Sequence, residues 1–405
     1  MLKHVSVDEG CAALCNLPVN PSYETVALGD ALSRVAAFDV RAPISVPPFD
    51  RSPYDGFAFR GADTAKATRE NPVTLRITEE IPAGVQPRKP ITPGHAAKIL
   101  TGAPIPAGAD VTVKFEHTRF DGDTVTVFEA YKPGTDIVRA GSDIAAGDIV
   151  ARRGDIISAP VISAFANVGL ASIEVFRRPA VTVLSTGTEL LEPGEPLRPA
   201  MIYNSNVYTL SAYLAAAGAQ PVNGGTVEDS PALIAQKIKA ALEVSDMVVT
   251  TGGASVGDYD FAVSAAEALD AQVLFWKAAL KPGGAIMAAT LDGKVILGLS
   301  GNPGAAVIGL LRIAMPYVKK LCGRTDCFYP EIQVRLKEPY LKPSEKLRIL
   351  RGRLEIDDSG AYFAQSDAQG AEAVLSFSGC DLLGEIPQGS PPLPEGTAIK
   401  AYRLI

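Results

Sequence analysis

SDMVVTTGGASVGDYD, residues 245–260, decides the fold. An apolar run ends in two adjacent glycines and then, within a few residues, presents two aspartates. A short apolar run bounded by turn residues reads as a buried strand. Glycines beyond it let backbone N–H groups approach a bulky anion, whereas carboxylates repel one. A loop that holds both suits a metal-bridged phosphate better than a bare one.

The same rhythm extends in both directions. PAVTVLSTG, PVNGGTVED, SDMVVTTGG and KVILGLSGNPG read as strands, and between or after them NVYTLSAYLAAAGA, PALIAQKIKAALE, FAVSAAEALD and AAVIGLLRIAMPYVKKLCG read as helices. Alternation of this kind predicts a doubly wound, mostly parallel α/β domain over about 176–327. Ligands in such sheets sit beyond the carboxyl ends of the strands, which here read STGTE, TTGGASVG and LSGNPG. Three glycine loops are therefore expected on one rim. None is a P-loop or a GxGxxG fingerprint, which weakens ATP hydrolysis and hydride transfer as readings.

Before this domain, residues 1–175 read as an N-terminal and linker region: a short helical start, extended segments, and a β-rich module at about 48–145. There, runs such as TVTVF are bounded by DG or PAG turns. After it, residues 328–405 carry EIQVRLKEPY, EKLRILRGRLEI, GAYFAQ, AEAVLSF and TAIKAYRL, the short strands of a small β-barrel. A chain of 405 residues is long enough for several such units.

The net charge of −7, from 45 acidic and 38 basic residues, argues against a nucleic-acid surface. Cysteines at 11, 15, 322, 327 and 380 are odd in number and scattered, which fits reduced core thiols in the cytoplasm better than a disulfide framework. With three histidines, a zinc site or a covalent Ser/His or Cys/His nucleophile is not expected. No stretch is apolar for long enough to span a membrane.

TTGGASVGDYD, STGTEL, FWKAALKPG and LSGNPGAA, together with FDRSPYDGFAF, KILTGAPIP and AGSDI upstream and AEAVLSFSGCDLLGEIP downstream, resemble the MoeA family of molybdopterin molybdenumtransferases, which includes the E domain of gephyrin. The resemblance covers essentially the whole chain, in the family's order. It implies an L-shaped homodimer of four-part subunits that takes adenylylated molybdopterin and molybdate, inserts the metal at the dithiolene and releases AMP, with Mg²⁺ involved. The upstream adenylyltransferase and the recipient molybdoenzymes are the implied protein partners.

Site residues follow by resemblance, each beside a plainer reading. Asp260 could be the N-cap of FAVSAAEAL, and the family match favours Mg²⁺; Asp229 is left free for Mg²⁺ or substrate because Ser230 and Pro231 suit the cap and first turn. Glu189 would otherwise be an exposed loop carboxylate, and Asp55, Asp143 and Thr101 turn residues. By resemblance the first is at the site and the other three reach the cleft from the β-rich part, of the same or of the second subunit. Ser185, Thr186, Gly187, Gly252, Gly253, Ser255, Gly257, Pro282, Gly283, Ser300, Gly301, Asn302 and Pro303 form the implied pterin and phosphate cradle.

Lys277 and Lys281, four apart, fall on one face whether the segment is strand or helix, and two ammonium groups in an apolar stretch suit an anion clamp. Molybdate, a tetrahedral dianion, is the implied occupant, with Arg351 and Ser376 helping. Three residues depart from the family's habit. Ser300 replaces the first proline of PGNP, Asn204 stands where aspartate is common, and Arg348 where an acidic residue often sits. A pterin-binding scaffold, a molybdopterin adenylyltransferase and a nucleotide-salvage enzyme are the competing readings. The first has no need of Asp229, Asp260, Lys277 and Lys281 together, and the other two have no use for the flanking β units.

Overall fold

The computed structural model describes residues 2–253 and 261–404. Its centre is a seven-stranded sheet in the order Leu2–Val5, Gln272–Ala278, Ile286–Leu291, Lys294–Leu299, Met247–Thr251, Ala180–Thr186, Gln220–Val227. Four of the six pairings are parallel, and the exception is Ile286–Leu291, which runs antiparallel to both neighbours. Met247–Thr251 is buried at every position, and Ala180–Thr186 and Lys294–Leu299 at all but the first. This is why these strands read as unbroken apolar runs: helices cover both of their faces.

On one face the core joins Val7–Cys15, Asn206–Ala216 and the long helical rod that begins at Pro303–Gly309 and ends at Met315–Leu321. On the other it joins Pro231–Val244 and Phe261–Ala268. The chain leaves Ala180–Thr186 for the sheet edge at Gln220–Val227, then returns past it to Met247–Thr251. The direction of winding thus reverses beside Thr186 and Thr251, where doubly wound sheets open a crevice.

The other units follow the expected order, with three differences. First, Leu2–Cys15 belongs to the α/β core and not to the N-terminal region, because Leu2–Val5 adds a parallel edge strand against Gln272–Ala278. Second, the sequence reading missed the Ile286–Leu291 strand and left Lys277 in an undecided segment. That segment is a strand broken by a bulge, with Lys277 at φ 64°. Third, AEAVLSF forms only a short 3₁₀ turn at Leu375–Phe377, and the missing barrel strand is Leu382–Ile386.

The β-rich module is a six-stranded sheet between Gly56 and Val127, reached through two small antiparallel ladders, Tyr23–Ala27 with Ser172–Phe176 and Val40–Arg41 with Ile149–Ala151. At the other end, Leu347–Asp357, Gly360–Gln365, Glu331–Leu336, Ala398–Arg403 and Leu382–Ile386 close on one another as a five-stranded barrel. Leu280–Lys281 pairs with Leu347 and Arg348 and so ties the barrel to the α/β unit beside the crevice.

Candidate functional site

Three loops meet at the carboxyl ends of the central strands, and their glycines are there because nothing larger fits. Gly252 has φ 95°, and a Cβ on it would lie 2.4 Å from the Thr186 carbonyl oxygen and 2.6 Å from the Thr186 hydroxyl. A Cβ on Gly301 would lie 3.3 Å from the Gly252 Cα, so the second and third loops also touch. Two asparagines lock this junction. The Ser185 hydroxyl donates to Asn204 Oδ1 at 2.8 Å, and Asn206 Nδ2 donates to the Gly301 carbonyl at 2.9 Å. Asn204, one of the departures from the family, is 1% exposed and also reaches Glu192 and Thr226.

Above this junction lies a cavity of about 670 Å³. Thr186, Gly252, Gly253, Ser300, Gly301, Asn302 and Pro303 line it, as do the carboxylate-bearing Glu189, Asp229 and Glu372. No Lys or Arg lines it among the described residues. The Thr186 hydroxyl is buried and finds no partner among the described residues, an orphan donor at the wall of a polar cavity. Ser230 occupies the N-cap position of Pro231–Val244 without a side-chain bond. Ser185 lies beneath the cavity wall, and Gly187, at φ 145°, shapes the loop that carries Glu189.

A second cavity, of about 560 Å³, adjoins the first at Ser300 and Asn302, which line both. Lys277, Lys281, Lys346 and Arg348 line it with His4, and no Asp or Glu among the described residues does. Pro282 and Gly283 form its floor; a Cβ on Gly283 would lie 2.9 Å from the Ala305 carbonyl oxygen, which requires glycine there. Lys277 lies 4.2 Å from the Trp276 ring centroid. Sequence reasoning missed Lys346 and His4, and it noted Arg348 only as a charge reversal. Register would have found Arg348, since it pairs directly with Lys281.

Two expectations are corrected. Arg351 lines neither cavity: it is 0% exposed and donates to the carbonyls of Ala368 and Gly370 at 3.2 and 3.1 Å. Burial lowers its pKa, and among the described residues its Nε and Nη1 have no hydrogen-bond partners. With Gln369, which bonds the Arg351 backbone, it pins the loop whose residues 369–371 wall the lysine cavity. Ser376 donates to the Ala373 carbonyl and faces a separate cavity beside Arg353 and Asp367. Its hydroxyl is spent on local turn structure.

Asp55, Thr101 and Asp143 all lie in the β-rich unit and line neither cavity. Asp55 Oδ1 accepts from the Thr101 hydroxyl and backbone N–H, both at 2.7 Å, and these bonds hold its carboxyl below the usual range. Asp143 is exposed and its N–H donates to the Val46 carbonyl. Ser255, Gly257 and Asp260 lie outside the described residues. Among the described residues no group of three His, Cys, Asp or Glu side chains could hold a metal, and no helix is long and apolar enough to cross a membrane.

Comparison with known proteins gives this arrangement a context. The family described as MoeA N-terminal region (domain I and II) matches residues 5–169, and the one described as probable molybdopterin binding domain matches residues 182–320. A molybdopterin molybdenumtransferase of Staphylococcus aureus (strain MSSA476) is 33% identical over 395 residues, covering 98% of this chain and 94% of that protein. Its counterpart from Staphylococcus epidermidis is 34% identical over the same span. A crystal structure titled as a molybdopterin biosynthesis moea protein from Pyrococcus horikosii superposes with a TM-score of 0.86 at 30% identity, covering 99% of both chains.

Proposed function

We propose that this chain, which belongs to the molybdopterin molybdenumtransferase family, inserts molybdenum into adenylylated molybdopterin and releases AMP, as a transferase of molybdenum cofactor biosynthesis. The observation that carries the assignment of sites is the segregation of charge between two touching cavities. A pterin with its adenylyl pyrophosphate belongs in the glycine-lined cavity, where backbone N–H groups and the Thr186 hydroxyl donate to it. Molybdate belongs in the cavity of Lys277, Lys281, Lys346 and Arg348, whose cationic wall suits a tetrahedral dianion.

A pyrophosphate beside Glu189, Asp229 and Glu372 is repelled unless a cation stands between them. Mg²⁺ fits that donor set, since it binds through one or two carboxylates and substrate phosphates and does not need a cage of protein ligands. When bound, it supplies charge neutralisation at the phosphoanhydride. Asp229 and Glu189 would hold it. Lys277 and Lys281 orient the oxyanion and stabilise negative charge, Ser300 and Asn302 sit where the two substrates meet, and Arg351 acts as a positioning residue behind the 369–371 loop. The dithiolene sulfurs that receive the metal belong to the pterin, so no protein thiolate is required.

In the same reading the protein works as a homodimer, and Asp55, Thr101 and Asp143 act from the β-rich unit of a second copy of the chain. The five free thiols suit the cytoplasm, where an adenylyltransferase supplies the substrate and molybdoenzymes take the product. The test is to follow AMP release and pterin-bound molybdenum after mixing the protein with adenylylated molybdopterin, Mg²⁺ and molybdate. Molybdate-dependent AMP release supports the assignment. Tight pterin binding with no AMP released, under molybdate or tungstate, leaves a binding scaffold and defeats it.

A further inference from the structure

A further cavity, of about 750 Å³, lies away from the carboxylate and lysine cavities. Asn206, at the start of its helix, faces the carboxylate cavity, whereas Ala216 and Ala217, at the end of that helix, face this one. The helix has 11 residues, so the two are separated by about 16 Å of helix rise. The remaining wall comes from the segment after the Met315–Leu321 helix and from the barrel.

The wall is aromatic and holds one buried charge. Tyr213, Tyr329, Phe328 and Phe377 line the cavity, with Tyr213 and Phe377 edge-to-face at 6.5 Å. Lys319 is 7% exposed, and its Nζ lies 4.0 Å from the Tyr329 ring centroid. Among the described residues its Nζ has no hydrogen bond and no ion pair. The neighbouring charges are already used: Lys320 donates to the Cys15 and Leu17 carbonyls, and Arg324 takes both oxygens of Asp326. Burial lowers the Lys319 pKa, and the Arg324 charge lowers it further.

A largely buried lysine with no hydrogen-bonded counter-ion is costly, and the cation–π contact and the nearby Asp326 charge offset only part of that. An anion delivered to Lys319 Nζ recovers the rest. We propose that this cavity binds a small monocarboxylate with a planar apolar body, the carboxylate paired with Lys319 and the body packed among Tyr213, Tyr329 and Phe377. Arg324, Arg403, Asp326 and Asp381 also line the wall, and Asp326 is already engaged by Arg324. The size is that of an ordinary small-molecule site.

The test is equilibrium titration of the full-length protein with 1-naphthoate and its uncharged isostere 1-naphthamide. Naphthoate is expected to bind at least about tenfold more tightly, about 1.4 kcal/mol, and saturating molybdate should not displace it. Lys319→Met should keep the fold and erase the preference for the carboxylate. Ala216→Trp, at an exposed position on the cavity wall, should exclude both compounds and keeps the test decisive if the lysine variant does not fold. Equal affinity for the two compounds, displacement by molybdate, undiminished binding to Ala216→Trp, or no naphthoate binding by the unaltered protein would each overturn the proposal.

Discussion

The carboxylate cavity and the lysine cavity share two residues and almost nothing else. The first is built from loops at the ends of parallel strands, where, among the described residues, three carboxylates line the wall without a cation. The second is built where the α/β unit meets the barrel, and four cationic side chains line it with no carboxylate among the described residues. Each would be a poor site alone for its proposed substrate pair. In the proposed function they let a pyrophosphate-bearing pterin and a free oxyanion approach Ser300 and Asn302 from opposite electrostatic environments, so that two anions need not share one cradle.

The largest effect should follow from breaking the lysine side. Lys281→Ala is expected to lower molybdate-dependent AMP release by about 100-fold, the usual loss when one preorganised charge-stabilising donor is removed, while leaving adenylylated pterin affinity unchanged. Pre-steady-state AMP release with a parallel pterin-binding titration checks both. If pterin affinity falls together with turnover, the two cavities are one site and the comparison fails.

Breaking the carboxylate side should look different. Asp229→Asn is expected to cost about 10-fold or more in turnover, the range seen when a metal-supporting residue is lost. Part of that loss should be restored by raising Mg²⁺, and the response to molybdate should be unaltered. A titration of activity against Mg²⁺ separates the outcomes: a shifted Mg²⁺ midpoint supports the assignment, and a shifted molybdate midpoint refutes it.

Gly252→Ala asks whether the glycine junction is structural before it is chemical. An alanine there must hold φ 95° and place its Cβ 2.4 Å from the Thr186 carbonyl oxygen. The left-handed backbone alone costs roughly 1–3 kcal/mol, and the contact adds to it. A lower melting temperature with weakened pterin binding and an intact oxyanion response is the expected outcome. Unchanged stability would mean that the loops do not pack as described.

How much of this was legible in the sequence depends on what fixes each part. The central strands announce themselves because burial on both faces leaves no polar alternation to obscure them, as in Met247–Thr251. The glycine loops are equally plain, since close backbone approach restricts the residue type. The Leu2–Val5 strand is not legible, because its place depends on pairing with residues some 270 positions away. Lys277 and Lys281 line one cavity, as their spacing suggests, although the strand that carries Lys277 was not legible, because spacing survives a bulge better than element type does. Arg351 misled for the opposite reason. An arginine near a motif can serve an anion or a carbonyl, and only its complete burial under residues 368–370 distinguishes the two.

Arg348 offers the smallest and most selective test. Its side chain lines the lysine cavity with a buried, unpartnered Nε, and in the barrel register it stands beside Lys281. Three other cations remain when it is neutralised, so Arg348→Gln should weaken the oxyanion interaction by only about 1 kcal/mol, the Coulomb energy of one near charge in a water-like dielectric. That is about fivefold in the molybdate KM, with kcat and pterin affinity unchanged. Because such an interaction is screened, the difference from the unaltered protein should narrow as salt is raised. A salt-independent change would identify the lost quantity as packing against Tyr340, whose ring centroid lies 5.9 Å from the guanidinium carbon, and would remove Arg348 from the oxyanion wall.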